Sequence, residues 1–169
     1  VYNKEKDLKK TYTAVYNISG NTLFQLADKE IPHLITADEG NAPIALLSTN
    51  QPYATEQMWE GRSRYDIYTV NLQTGERQQI KKASNSNMQL SPKGTYAYWY
   101  CAQDSSWYTY SLANGKEYRL TTPATFTAWD EDNDVPDYPS PHGLAGWTAD
   151  DRNLLIYDRY DIWKFDPTA

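Results

Sequence analysis

Tyr65-Asp-Ile-Tyr-Thr-Val-Asn-Leu-Gln-Thr-Gly75 and Ser105-Ser-Trp-Tyr-Thr-Tyr-Ser-Leu-Ala-Asn-Gly115 follow one pattern, and their closing glycines stand 40 positions apart. Each begins as a run of aromatic and β-branched residues, which suit a pleated, half-buried surface, and ends in polar residues and a glycine that mark a tight turn. Beyond each glycine a second short strand is expected, from Glu76 to Ile80 and from Glu117 to Leu120, so the unit is a repeated hairpin. Tyr160-Asp-Ile-Trp-Lys-Phe-Asp-Pro-Thr168 is a third copy.

A second shared element precedes the later copies. Met88-Gln-Leu-Ser-Pro-Lys-Gly-Thr-Tyr-Ala-Tyr-Trp99 and the stretch from Leu144 through Trp147-Thr-Ala-Asp-Asp-Arg-Asn153 to Tyr157 both read strand, polar turn, strand. Four short antiparallel strands in roughly 40–45 residues are the signature of a propeller blade. The expected fold is therefore all-β, a partial β-propeller of three to four blades of four-stranded antiparallel sheets. Residues 1–32 are expected to hold the outer hairpin of a preceding blade. Blades follow at 33–82 and 86–122, an acidic, proline-rich insert at 123–143, and an incomplete blade at 144–169. Both ends fall inside a blade, which suggests a segment of a longer protein.

Along Tyr65 to Leu72 one face carries Tyr65, Ile67 and Thr69 and the other Asp66, Tyr68, Val70 and Leu72, so neither is wholly polar. Blades stack face to face, and inner strands must offer apolar groups on both sides. The 15 Tyr and 6 Trp are thus expected mainly between blades. Cys101, the single cysteine, lies in such a strand and reads as a buried structural thiol.

A formal charge of −6 with dispersed lysines offers no footprint for nucleic acid. No stretch approaches the ~20 apolar residues of a membrane span, and Val1–Lys6 has no signal-peptide apolar region. Catalytic signals are missing as well: there is no Gly-x-Ser-x-Gly elbow, no Cys-x-x-Cys, no His-Glu-x-x-His and no phosphate loop, and His33 and His142 stand far apart. No catalytic, cofactor-binding or metal-ligating residue is assigned, and no cofactor is expected.

Three interruptions of the repeat hold the candidate contact residues, because ligands of such folds meet loops and not blade cores. Asn50–Ser63 reads as a protruding hairpin presenting Met58 and Trp59 to a partner. In Asp130-Glu-Asp-Asn-Asp134, the positions of Asp130, Asp132 and Asp134 match the first three ligands of an EF-hand loop. The match fails at Val135, where glycine is needed, and at Pro141, where the closing Glu belongs. A solvated acidic loop stiffened by Pro136, Pro139 and Pro141 is preferred, with Ca²⁺ as the alternative. The third is Asp158-Arg-Tyr-Asp161, where Arg159 is expected to pair with Asp158 or Asp161 at the surface.

The stretches Gln89–Tyr98, Tyr65–Gly75 and Tyr160–Asp166 resemble blades of TolB-like propellers, and still more the N-terminal propeller of prolyl oligopeptidase and dipeptidyl peptidase IV-type serine peptidases. The resemblance covers most of residues 60–169, including Asp134-Val-Pro136 and His142–Asp151. It implies a non-catalytic propeller that gates peptide access to an α/β-hydrolase domain lying outside this chain, in a periplasmic or secreted protein. Partners would be the remaining blades, that hydrolase domain and peptide substrates. Some members read a peptide's free N-terminus with adjacent glutamates; here only Asp38-Glu39 is loosely analogous, and that specificity does not carry over. The alternative is a stand-alone propeller that binds protein or glycan, with Trp59, Trp107 or Trp163 exposed for stacking. Either way, unpaired blade edges are expected to drive self-association.

Overall fold

The computed structural model describes Glu5 and residues 8–169; the rest of Val1–Lys6, on which the signal-peptide reading falls, lies outside the described residues. Among the described residues thirteen strands form four antiparallel layers. The first is a hairpin of β1 (Ala14–Asn17) and β2 (Thr22–Gln25). Next, β3 (His33–Ile35), β4 (Ile44–Thr49), β5 (Tyr65–Asn71) and β6 (Arg77–Ser84) make the first full sheet in sequential order. The second sheet repeats this meander with β7 (Gln89–Leu90), β8 (Tyr96–Cys101), β9 (Ser106–Ser111) and β10 (Glu117–Arg119). The third has three strands, β11 (Leu144–Trp147), β12 (Leu154–Tyr157) and β13 (Ile162–Phe165).

The repeated turns explain the repeated hairpins. Gly75 (φ 72°) and Gly115 (φ 68°) adopt the left-handed conformation that closes β5–β6 and β9–β10. Their amides donate to the carbonyls of Asn71 at 2.8 Å and Ser111 at 2.9 Å.

The layers stack in chain order, each strand pair showing different faces to its two neighbours. Ala45, Leu47 and Val70 pack with Val15 and Phe24 of the hairpin, whereas Leu46 and Ile67 turn the other way to Ala97 and Trp99 of the second sheet. In that sheet Tyr98, Tyr100 and Trp107 face onward to Leu154, Ile156 and Phe165 of the third. Trp147 of β11 stacks on Tyr96 at 5.7 Å between ring centroids and meets Tyr98 edge-on at 5.5 Å. Burying both faces of the two middle sheets in a row is what a propeller does, and each fully buried Leu or Ile stabilises it by about 1.5–3 kcal/mol. Within the second sheet Trp99 stacks on Tyr108 at 5.4 Å, and the Lys81 ammonium, 4.4 Å from the Trp99 ring, closes the outer side while pairing with Glu117.

The meander sorts the connections onto two ends. One end carries the turns β3–β4, β5–β6, β7–β8, β9–β10 and β11–β12, here termed the turn face. The other carries β4–β5, β6–β7, β8–β9, β12–β13 and the long β10–β11 insert, the loop face.

Two expectations need correction. Asn50–Ser63 is not a hairpin: a 3-10 turn at Gln51–Tyr53 leads into a helix, α1 (Ala54–Glu60), ended by Gly61 at φ 68°. Ala-Thr-Glu-Gln-Met-Trp-Glu contains good helix formers, and Arg64 secures it by pairing with Glu56 at 3.1 Å and Glu60 at 2.8 Å. Trp107 is not an exposed stacking surface but buried between the second and third sheets, at 7% exposure. Among the described residues no helix is long and apolar enough to cross a membrane.

Candidate functional site

All the candidate contact residues lie in connections of the loop face. At the β4–β5 connection, buried Asp66 of β5 accepts from the Tyr53 hydroxyl at 2.6 Å and from the Ala83 amide at 2.9 Å, fixing the base of α1. That bond raises the Tyr53 phenol above its ordinary value, because ionisation would set two anions side by side. The far side of α1 is free: Met58 and Trp59 are 84% and 86% exposed.

The insert folds back on itself. The Asp130 amide donates to the Ser140 carbonyl and the His142 amide to the Ala128 carbonyl, with Trp129 bridged to Pro141. The three aspartates do not converge. The Asp130 carboxylate accepts from the Asp132 amide, Asp132 turns to Arg159, and Asp134 is exposed. Among the described residues no group of three acidic, histidine or cysteine side chains is placed to hold a metal ion.

Arg159 therefore pairs across the loop face and not within its own turn, a correction to the expected Asp158 or Asp161. It grips Asp132 with both terminal nitrogens at 2.6 and 3.2 Å, since a planar fork matches a carboxylate. Asp158 is engaged elsewhere, accepting from the Tyr160 and Asp161 amides and from the Trp163 indole at 2.6 Å. The amide bonds, Tyr160 first, hold its carboxyl below the ordinary value.

Two open clefts flank the insert. One, of about 360 Å³, lies between the end of the β4–β5 connection, the β6–β7 and β8–β9 turns and the insert, and is lined by Arg62, Tyr65, Asn85, Gln103, Asp137 and Tyr138. The Arg62 guanidinium rests 4.4 Å above the Tyr138 ring and pairs with Asp137 at 2.7 Å, while Asn85 and Gln103 bond at 2.8 Å. The other, of about 460 Å³, lies between the insert and β13 and includes Phe126, Glu131, Arg159, Tyr160 and Trp163. Phe126 meets Trp163 edge-on at 6.0 Å, and half-exposed Trp163 keeps a free side toward solvent. Sequence reasoning missed Arg62 and Tyr138, which lie 76 positions apart and carry no shared motif.

Neither Asp38 nor Glu39 belongs to this face. Asp38 pairs with Lys93 at 2.7 Å on the turn face, and Glu39 is exposed there. Cys101 is half-buried with the cluster between the first and second sheets, and burial raises its thiol above the ordinary value, away from thiolate reactivity.

No protein-family model and no curated protein matches this sequence. Solved structures similar to it include two propeller-fold proteins. TolB from Acinetobacter baumannii matches at 14% identity and a TM-score of 0.46, covering 92% of this chain and 35% of that one. An oligogalacturonate lyase in complex with manganese matches at 14% identity and a TM-score of 0.44, covering 90% of this chain and 39% of that one. The chain thus spans little more than a third of either. The propeller assignment rests on the sheets and their stacking described above.

Proposed function

We propose that this chain is a non-catalytic propeller segment whose loop face selects peptides, gating their access to the hydrolase domain of a periplasmic or secreted serine peptidase. One observation carries the reading: the irregular connections converge on one face and leave two clefts between them. Aromatic rings beside exposed amides, guanidinium and carboxylate groups suit an extended peptide, whose side chains and backbone demand both kinds of contact. The strand motifs that resemble peptidase propellers supply the link to a hydrolase. A second reading, a stand-alone module for glycans, is favoured by Trp163, whose free side could stack on a sugar ring.

Titration of the chain with unstructured peptides and with oligosaccharides, followed by tryptophan fluorescence, separates the two. Saturable quenching by peptides alone supports gating, quenching by oligosaccharides alone supports the glycan module, and a flat response to both removes both. Chromogenic dipeptide substrates are expected to remain uncleaved; turnover by the purified chain would overturn the non-catalytic assignment.

A further inference from the structure

On the turn face, the β7–β8 turn Ser91-Pro-Lys-Gly-Thr-Tyr96 and the β11–β12 turn Thr148-Ala-Asp-Asp-Arg-Asn153 share their closing bonds and a left-handed fourth residue, and differ at the third, where Asp150 is left-handed too, at φ 57°. In each the first amide donates to the last carbonyl at 2.9 Å, Ser91 to Tyr96 and Thr148 to Asn153. In each the first hydroxyl accepts from the last amide, at 2.9 Å and 3.0 Å. The fourth residue is left-handed in both, Gly94 at φ 71° and Asp151 at φ 55°.

The first of these turns is occupied. Asp151, 2% exposed, reaches back from the third sheet and accepts from the Ser91 hydroxyl at 2.6 Å, the Lys93 amide at 3.1 Å and the Thr95 amide at 3.2 Å. The corresponding donors of the second turn are the Thr148 hydroxyl and the amides of Asp150 and Arg152. Among the described residues no carboxylate accepts from any of them; the hydroxyl and the Arg152 amide make only long bonds within the turn, at 3.5 and 3.4 Å.

A separate observation points the same way. Tyr98 and Tyr100 of the second sheet are covered by the third, but their counterparts Leu155 and Tyr157 lie on the face of the third sheet turned away from the second. With Ile162, paired to Tyr157, they form an apolar strip bordered by exposed Lys164, on which Tyr157 is 36% and Ile162 55% exposed.

We propose that the turn Thr148–Asn153 is a docking site for the acidic side chain of a following blade. The occupant is an antiparallel sheet that covers Leu155, Tyr157 and Ile162 and carries Asp or Glu at the left-handed fourth position of its first turn. Each such acid ties its own layer to the layer before it, as Asp151 does. The inference rests on the stacking of the sheets and is independent of the peptide-gating reading.

Amide hydrogen exchange on the full chain provides the first arm. Lys93 and Thr95 are expected to be protected and Asp150 and Arg152 to exchange freely, with Asp151→Asn speeding Lys93, whose amide has Asp151 as its acceptor, by at least about tenfold. The second arm appends a further copy of residues 123–169 after Ala169, supplying a fifth layer through the same connection that joins the second and third sheets. Protection should then appear at Asp150 and Arg152. It should vanish from those two amides when the appended counterpart of Asp151 is Asn, while near-ultraviolet circular dichroism shows the added sheet still packed. Protection of Asp150 in the unextended chain, failure of the added layer to dock, or equal protection with Asn would each overturn the proposal.

Discussion

Asp151 combines three features rarely found together: a carboxylate, near-complete burial and a left-handed backbone. Its three donors belong to a neighbouring sheet, so removing the acid leaves the Ser91 hydroxyl and the Lys93 amide without that acceptor and the Thr95 amide with the Ser91 oxygen at 3.1 Å alone. Asp151→Ala is expected to lower stability by roughly 2–4 kcal/mol in urea denaturation, with Asp151→Asn between it and the wild type. Gly94 is the partner constraint. A Cβ there would sit 2.8 Å from the Ala42 Cβ and 3.2 Å from that of Ala37, in a conformation that already disfavours side chains. Gly94→Ala should cost about 1–3 kcal/mol by the same measurement. Asp28 sets a pH dependence. The Ile31 amide, then Arg77, holds its carboxyl below the ordinary 3.8. Because the folded value is depressed, its contribution is complete above the unfolded value and is lost as pH falls through the folded one. Asp28→Asn should therefore flatten the acid limb of the stability profile below about pH 4, with Arg77→Met acting in the same direction.

At the level of elements, α1 shows where sequence reading ended. The alternation in β5 and β8 was legible because both faces of those strands are core, so each residue type is set by a neighbour. Gln51–Glu60 packs little apolar surface, and its helicity comes from local propensity and the Arg64 pairs, which a search for hairpins overlooks. The insert was recognised from its excess length, but Arg159 bonds across it to Asp132, 27 residues away, and no local pattern announces such a pair. Arg62 on Tyr138 is the same kind of case. The buried place of Trp107 was legible only through its sequence equivalent: Ile67 of the first sheet packs on the second, and Trp107 of the second packs in the same direction on the third. Trp59→Ala, on the open side of α1, should change stability by less than about 0.5 kcal/mol, whereas Trp99→Ala should cost about 3–5 kcal/mol. Equal effects in thermal melts would mean that α1 packs against something this fold does not show.

Across the whole molecule, stability is serial: each layer leans chiefly on the layers adjacent to it, as in other stacked-repeat architectures. Leu154 and Ile156, both 0% exposed, hold the third sheet to the second and contribute nothing to the first interface. Ile156→Ala is accordingly expected to loosen the third sheet by about 2–5 kcal/mol while leaving the contact around Leu46 and Ile67 intact. Denaturant curves should then separate, and a single coincident transition for all probes would argue against serial stacking.

The stacked rings make that separation visible to light. Tyr96 and Trp147 lie within 8° of parallel across the boundary between the second and third sheets, while Trp99 and Tyr108, also within 8°, sit inside the second. Fixed, asymmetric pairs of chromophores couple their transitions and lend each other rotational strength that either ring loses once its partner tumbles. The chain thus carries two built-in optical gauges, one sensing whether adjacent layers touch and the other whether a single layer holds its own shape.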